Sequence, residues 1–160
     1  MKLPKLLLSV VLLLVLGAFG AGAATIGGLY VYGSGSGTAV VVGNGSEYHQ
    51  VMADVWNPND AYNPSFSITG MEMESYCGGA GSGYNAQCGL SVGPGESVTV
   101  SYFANSSYNG TAVLRIGSAF FFSGQSGTLV LGPGNYDLQT YVSGSYSNDS
   151  ADADIIVYTN

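Results

Sequence analysis

Gly132-Pro133-Gly134-Asn135-Tyr136-Asp137-Leu138-Gln139-Thr140-Tyr141 is a turn followed by a strand. Glycine, proline and asparagine at its start supply the dihedral angles of a tight reversal. Tyr136, Leu138 and Thr140 then alternate with Asp137, Gln139 and Tyr141, the period-two signature of a strand with one face buried. The same grammar recurs at Gly93-Pro94-Gly95, where Val98, Val100 and Tyr102 alternate with Thr99, Ser101 and Phe103. Ala153, Ile155 and Val157 oppose Asp152, Asp154, Ile156 and Tyr158 near the end of the chain. Upstream, Val51, Ala53 and Val55 share a face within Glu47–Trp56, and Phe66 with Ile68 begins another run. Gly70 then marks a bulge, because Met71 and Met73 continue in the opposite phase. Thr38 to Val42, Thr111 to Phe122 and Thr128 to Leu131 complete the set. Ala112, Leu114 and Ile116 share one face of the second of these runs. Roughly seven to nine short strands between turn signals, with no helical period past residue 32, predict an all-β, antiparallel β-sandwich.

Leu131-Gly132-Pro133-Gly134-Asn135-Tyr136-Asp137-Leu138 also resembles the tyrosine corner of immunoglobulin-like Greek keys. The resemblance implies that the Tyr136 hydroxyl bonds back to the backbone just upstream and fixes a crossover. A simple hairpin tyrosine is the plainer reading of the same residues.

The other end of the chain is of different material. Leu6 to Tyr32 contains no charged residue and follows Met1-Lys2-Leu3-Pro4-Lys5. An uncharged run of this length behind a basic start is read as an export or membrane segment. Ala21-Gly22-Ala23 fits a signal-peptidase site that would leave Ala24 at the mature N-terminus, whereas retention would leave a helix long enough to span a bilayer. Gly33-Ser34-Gly35-Ser36-Gly37 reads as a flexible hinge. The expected organisation is therefore a signal or assembly segment over 1–32, a hinge over 33–37 and an extracellular β domain over 38–160.

Composition narrows the function. The formal net charge is −7, and Arg115 is the one Lys or Arg after Lys5. Nothing is available to neutralise phosphates, so nucleic acid is excluded as a partner. Sequons at Asn44, Asn105, Asn109 and Asn148 are candidate glycan acceptors, all in expected loops. Cys77 and Cys88 flank the glycine-rich stretch 78–87, and an oxidising compartment predicts a disulfide closing it as a loop. Two thiols and a distant His49 do not make a zinc site. His49 lies mid-strand and reads as structural. Glu72 and Glu74 share a strand face and read as solvated. Asp149, Asp152 and Asp154 offer oxygen ligands for calcium, without the glycine and distal glutamate of an EF-hand loop. No phosphate loop or dinucleotide fingerprint is present. The expectation is a non-enzyme without cofactor.

The order of parts resembles archaeal type IV pilins and related surface-filament subunits. The residues that carry it are the apolar start ending Gly28-Leu29-Tyr30-Val31-Tyr32-Gly33, then Asp54-Val55-Trp56-Asn57-Pro58, Ser67-Ile68-Thr69-Gly70, Cys88-Gly89-Leu90 and Pro94-Gly95-Glu96-Ser97-Val98. A prepilin peptidase site places a small residue after the basic one, and here Leu6 follows Lys5. That leaves open a second filament class, in which Thr25 to Val42 of one subunit is donated to a neighbour's sheet. The resemblance implies a self-assembling structural subunit at the cell surface that meets the membrane only through its N-terminal segment. The competing expectation is a monomeric, membrane-tethered immunoglobulin-like domain that binds a ligand or glycan.

Overall fold

The computed structural model describes residues 24–44, 49–53, 60–62, 66–68 and 70–160. These residues contain no helix. They form one 11-stranded antiparallel sheet: β1 (Thr25–Asn44), β2 (His49–Ala53), β3 (Asp60–Tyr62), β4 (Phe66–Ser67), β5 (Gly70–Val92), β6 (Val98–Ser107), β7 (Thr111–Ile116), β8 (Ala119–Phe122), β9 (Gln125–Leu131), β10 (Gly134–Gly144) and β11 (Ser150–Thr159).

Two long strands organise it. The first half of β5 pairs with β11, from Gly70↔Tyr158 to Gly78↔Ser150. Its second half pairs with β10, from Gly81↔Gly144 to Val92↔Gly134. β1 follows β5 along both halves, from Asn44↔Gly70 to Thr25↔Ser91. One layer thus runs β8-β7-β10-β5-β1, with β3 and β4 on the far side of β1. The other runs β9-β6-β11-β5-β1-β2. The layers face one another, as contacts across the interior show. Ser75 on one half of β5 hydrogen-bonds Thr140 on β10. The Cys88 thiol meets the sulfurs of Met71 and Met73 from the opposite half of its own strand.

The glycines explain how a strand can serve both layers. Register shifts fall between Tyr32 and Ser34 and between Gly35 and Gly37 of β1, and Gly35 has φ +97°. Gly79 on β5 has φ +103°. Side chains disfavour this left-handed region, while glycine adopts it freely, so the ladder can bend without being cut. The expected hinge at 33–37 is therefore corrected: it is the bend of a continuous strand. The loop expected over 78–87 is likewise strand throughout. Both errors have one cause, since glycine runs carry no hydrophobic period from which pairing could be read.

The domain boundary moves with this correction. Ile26, Leu29 and Val31 are fully buried, so the described residues before Thr38 belong to the same folded body. Residues 1–23 lie outside the described residues, while Thr25 to Tyr32, expected to close a signal or membrane helix, are strand. Among the described residues no helix is long and apolar enough to cross a membrane.

Alternation in the later strands follows the expected phase. Leu138, Thr140 and Val142 on β10, Ala153, Ile155 and Val157 on β11, Val98 and Val100 on β6, and Ala112, Leu114 and Ile116 on β7 are all buried. The run Thr111 to Phe122 is two strands rather than one. Ile116 pairs with Ala119 around Gly117-Ser118, and Gly117 has φ +61° at the position where a two-residue hairpin turn needs it. The phase change expected at Gly70 marks the start of β5 after β4. Val55 and Trp56 lie outside the described residues. Tyr136 behaves as expected: its hydroxyl donates to the Gly132 carbonyl at 3.0 Å.

Candidate functional site

β1 is the element whose position bears most on function. It is the first strand of the described chain and inserts between β5 and the short strands β2, β3 and β4. Main-chain pairing fixes its register. Ile26, Leu29, Val31 and Ala39 fill the interior with no more than trace exposure. Burying one such large apolar side chain stabilises by roughly 1.5–3 kcal/mol. Ile26, Leu29 and Val31 together therefore contribute about 5–9 kcal/mol, comparable to the whole stability of an ordinary domain. Removing β1 would open a slot along β5 in both layers.

The outer face of the layer containing β6 and β11 is acidic. Glu74 lies beside Asp154 across the β5–β11 ladder, and Tyr76 beside Asp152. Phe103 and Asn105 of β6 flank the two aspartates on the other side. Asp152 Oδ1 and Asp154 Oδ1 have no hydrogen-bond partner among the described residues. Partial burial, and then the carboxylates of Glu72, Glu74 and Asp152, push the Asp154 carboxyl up to about 7. Burial followed by Asp152 and Glu72 raises Glu74, and burial raises Asp152 against an opposing Ala153 N–H. Glu72 and Glu74 are both exposed, in line with their reading as solvated side chains, and Glu74 belongs in addition to a mutually repelling set.

Asp149, expected to join Asp152 and Asp154, stands apart from them. It is 2% exposed and receives the backbone N–H groups of Ser145, Tyr146 and Asn109 at 2.7, 2.8 and 3.2 Å. Burial opposes its ionisation, but these donors outweigh it and hold the carboxyl below the usual range. Its work is to organise the turn between β10 and β11. No group of three or more His, Cys, Asp or Glu side chains among the described residues could hold a metal ion.

On the opposite layer, Arg115 donates to Asp137 Oδ2 at 3.2 Å and, through Nε, to the Gly117 carbonyl at 2.9 Å. Its guanidinium lies 5.9 Å from the centre of the Phe120 ring. Arg115 and Phe120, with Val113, Leu114, Gln139 and Tyr141, line a depression of about 210 Å³. That is smaller than ordinary ligand pockets of roughly 300–1,000 Å³. Phe120 and Phe122 stand more than half exposed at this edge.

The remaining expected residues are distributed as follows. Asn105, Asn109 and Asn148 are exposed, but Asn105 lies within β6 rather than in a loop, and Asn44 closes β1. His49 opens β2 opposite Gly43. The expected Cys77–Cys88 disulfide is corrected: both thiols are free and buried. Cys77 pairs with Ala151 in one layer and Cys88 with Leu138 in the other, so the bent strand that carries both holds them apart. No protein-family model, curated protein or solved structure matches the chain.

Proposed function

We propose that this chain is a structural subunit of an extracellular archaeal filament, an immunoglobulin-like β-sandwich that assembles with copies of itself through its N-terminal strand. The observation that carries the reading is the placement of β1. An element at the beginning of the described chain supplies core side chains to both layers and is held by main-chain pairing along β5. Such a slot is indifferent to which copy fills it, so a neighbour's β1 satisfies the same ladder and the same cavities. A strand that leaves its own body for the next makes a head-to-tail contact, which propagates into a fibre when it does not close. The Tyr136–Gly132 bond supports the immunoglobulin-like part of the reading. Exposed sequons and the scarcity of charge fit a surface polymer whose membrane contact is confined to the N-terminal segment.

Tyr30 and Gln87 are register partners on β1 and β5, and Tyr30 is about half exposed. In the chain carrying Tyr30→Cys and Gln87→Cys, filaments built by strand exchange should oxidise to covalent ladders between copies. Filaments with only intrachain bridges would place assembly elsewhere, and a chain that forms no filaments would defeat the reading. The Arg115–Phe120 depression favours the second reading, a tethered glycan-binding domain. A chain that stays monomeric and loses glycan binding on Phe120→Ala would establish it.

A further inference from the structure

Three sulfur atoms meet between the layers. Cys88 Sγ lies 3.9 Å from Met71 Sδ and 4.0 Å from Met73 Sδ. Met71 and Met73 occupy alternate positions of one strand half and so face the same way, while Cys88 arrives from the facing half. All three residues are at most 3% exposed. Three ligands around a trigonal centre are separated by √3 times the bond length. For a metal–sulfur bond of about 2.3 Å that separation is about 4.0 Å. Both Cys88–methionine distances match it.

We propose that Cys88, Met71 and Met73 form a binding site for a soft monovalent metal ion, copper(I) in chemical class. One thiolate and two thioethers are soft donors that select such an ion over magnesium, calcium or manganese, which require oxygen. Charge makes the same choice. A thiolate with a monovalent cation is neutral overall, whereas a divalent ion would leave a net positive charge in an apolar interior. Zinc would also need a fourth ligand. Binding exchanges one ion for another: the Sγ–H bond breaks, its proton passes to solvent, an Sγ–metal bond forms, and no electron is transferred. Cys77 is the internal control, because its Sγ faces the Gly79 carbonyl at 3.3 Å at the glycine bend.

The test titrates the full, reduced chain without oxygen, using copper(I) and, separately, silver(I). Metal is supplied both to the folded protein and during refolding, so that burial does not prevent loading. One equivalent should bind, with a shell of three sulfurs at about 2.3 Å in X-ray absorption and one proton released. Met71→Leu and Met73→Leu keep the core volume, and each should weaken binding at least tenfold while leaving metal-free unfolding near that of the parent. Cys77→Ser should bind as the parent does. Absence of stoichiometric binding in both protocols, binding that survives both Met→Leu changes, or binding lost in Cys77→Ser would each overturn the site.

Discussion

Ser75 Oγ and Thr140 Oγ1 lie 2.6 Å apart, a hydroxyl pair with no solvent exposure that links β5 of one layer to β10 of the other. Each hydroxyl gives the other the partner that burial requires. Ser75→Ala should strand the Thr140 hydroxyl and destabilise by about 1–3 kcal/mol. Replacing both, as Ser75→Ala with Thr140→Val, removes the need as well as the bond and should recover most of that loss. Urea unfolding of the single and double variants measures this, and additive losses would show that the pair is not coupled.

Stability should fall as pH rises through the range in which the acidic face ionises. The folded carboxyl of Asp154 is raised from 3.8 to about 7, so the folded chain binds more protons than the unfolded one between those values. Its contribution is fully present below about pH 4 and lost by about pH 7. The raised carboxyls of Glu74 and Asp152 act in the same direction. Asp149 acts oppositely: its stabilisation is present above its unfolded pKa and is lost as pH falls through its lowered folded value. After allowance for solvent screening, Asp154 should account for about 1–2 kcal/mol. Asp154→Asn should flatten the dependence between pH 4 and 7 and raise the melting temperature at pH 8. An unchanged profile would mean that neither burial nor its acidic neighbours raise the Asp154 carboxyl.

Gly144 belongs to the bend, and a Cβ there would overlap the Gly79 carbonyl oxygen. Both close neighbours are backbone or buried side chain, so neither can swing aside. Gly144→Ala should lower stability by about 1–3 kcal/mol, as overpacking does. Gly132→Ala, where a Cβ meets nothing, is the comparison. Equal melting temperatures for the two variants would show that the bend relaxes freely.

Tyr136→Phe removes one hydrogen bond, to the Gly132 carbonyl, and should destabilise by about 1 kcal/mol. Thermal unfolding indistinguishable from the parent would show that this bond does not hold the connection from β9 to β10.

The later strands were legible because their side chains report their surroundings. Val98 and Leu138 sit between polar neighbours, Leu114 and Ile155 each beside a charged one, and all four are buried. Tyr136 was legible because a turn and a tyrosine at fixed spacing make a specific bond. The two long strands were not. Across 33–37 and 78–83 the chain is mostly glycine and serine, so nothing in the residue pattern separates a hinge or loop from a paired, bent strand. The β7–β8 turn was hidden for another reason: Gly117-Ser118 sits inside an apolar run that ends in three phenylalanines. The sulfur cluster joins the two halves of β5 through a bend, a proximity that spacing along an extended strand argues against. The acidic face was half legible, since Glu72 and Glu74 were paired by sequence but Asp154 became their neighbour only through the β5–β11 register.

The pairing of β1 with β5 has a mechanical consequence. A pull on the N-terminus directed along β1 runs parallel to its strand partners and perpendicular to the hydrogen bonds between them. Such a load shears the ladder, so that many bonds strain together instead of parting one by one as in a peeled hairpin. The glycines set the limit of this resistance, because register shifts between Gly27 and Tyr30, Tyr32 and Ser34, and Gly35 and Gly37 divide the ladder into blocks. Tension should therefore free the short blocks up to Gly35 before the unbroken block from Gly37 to Asn44, giving rupture in steps.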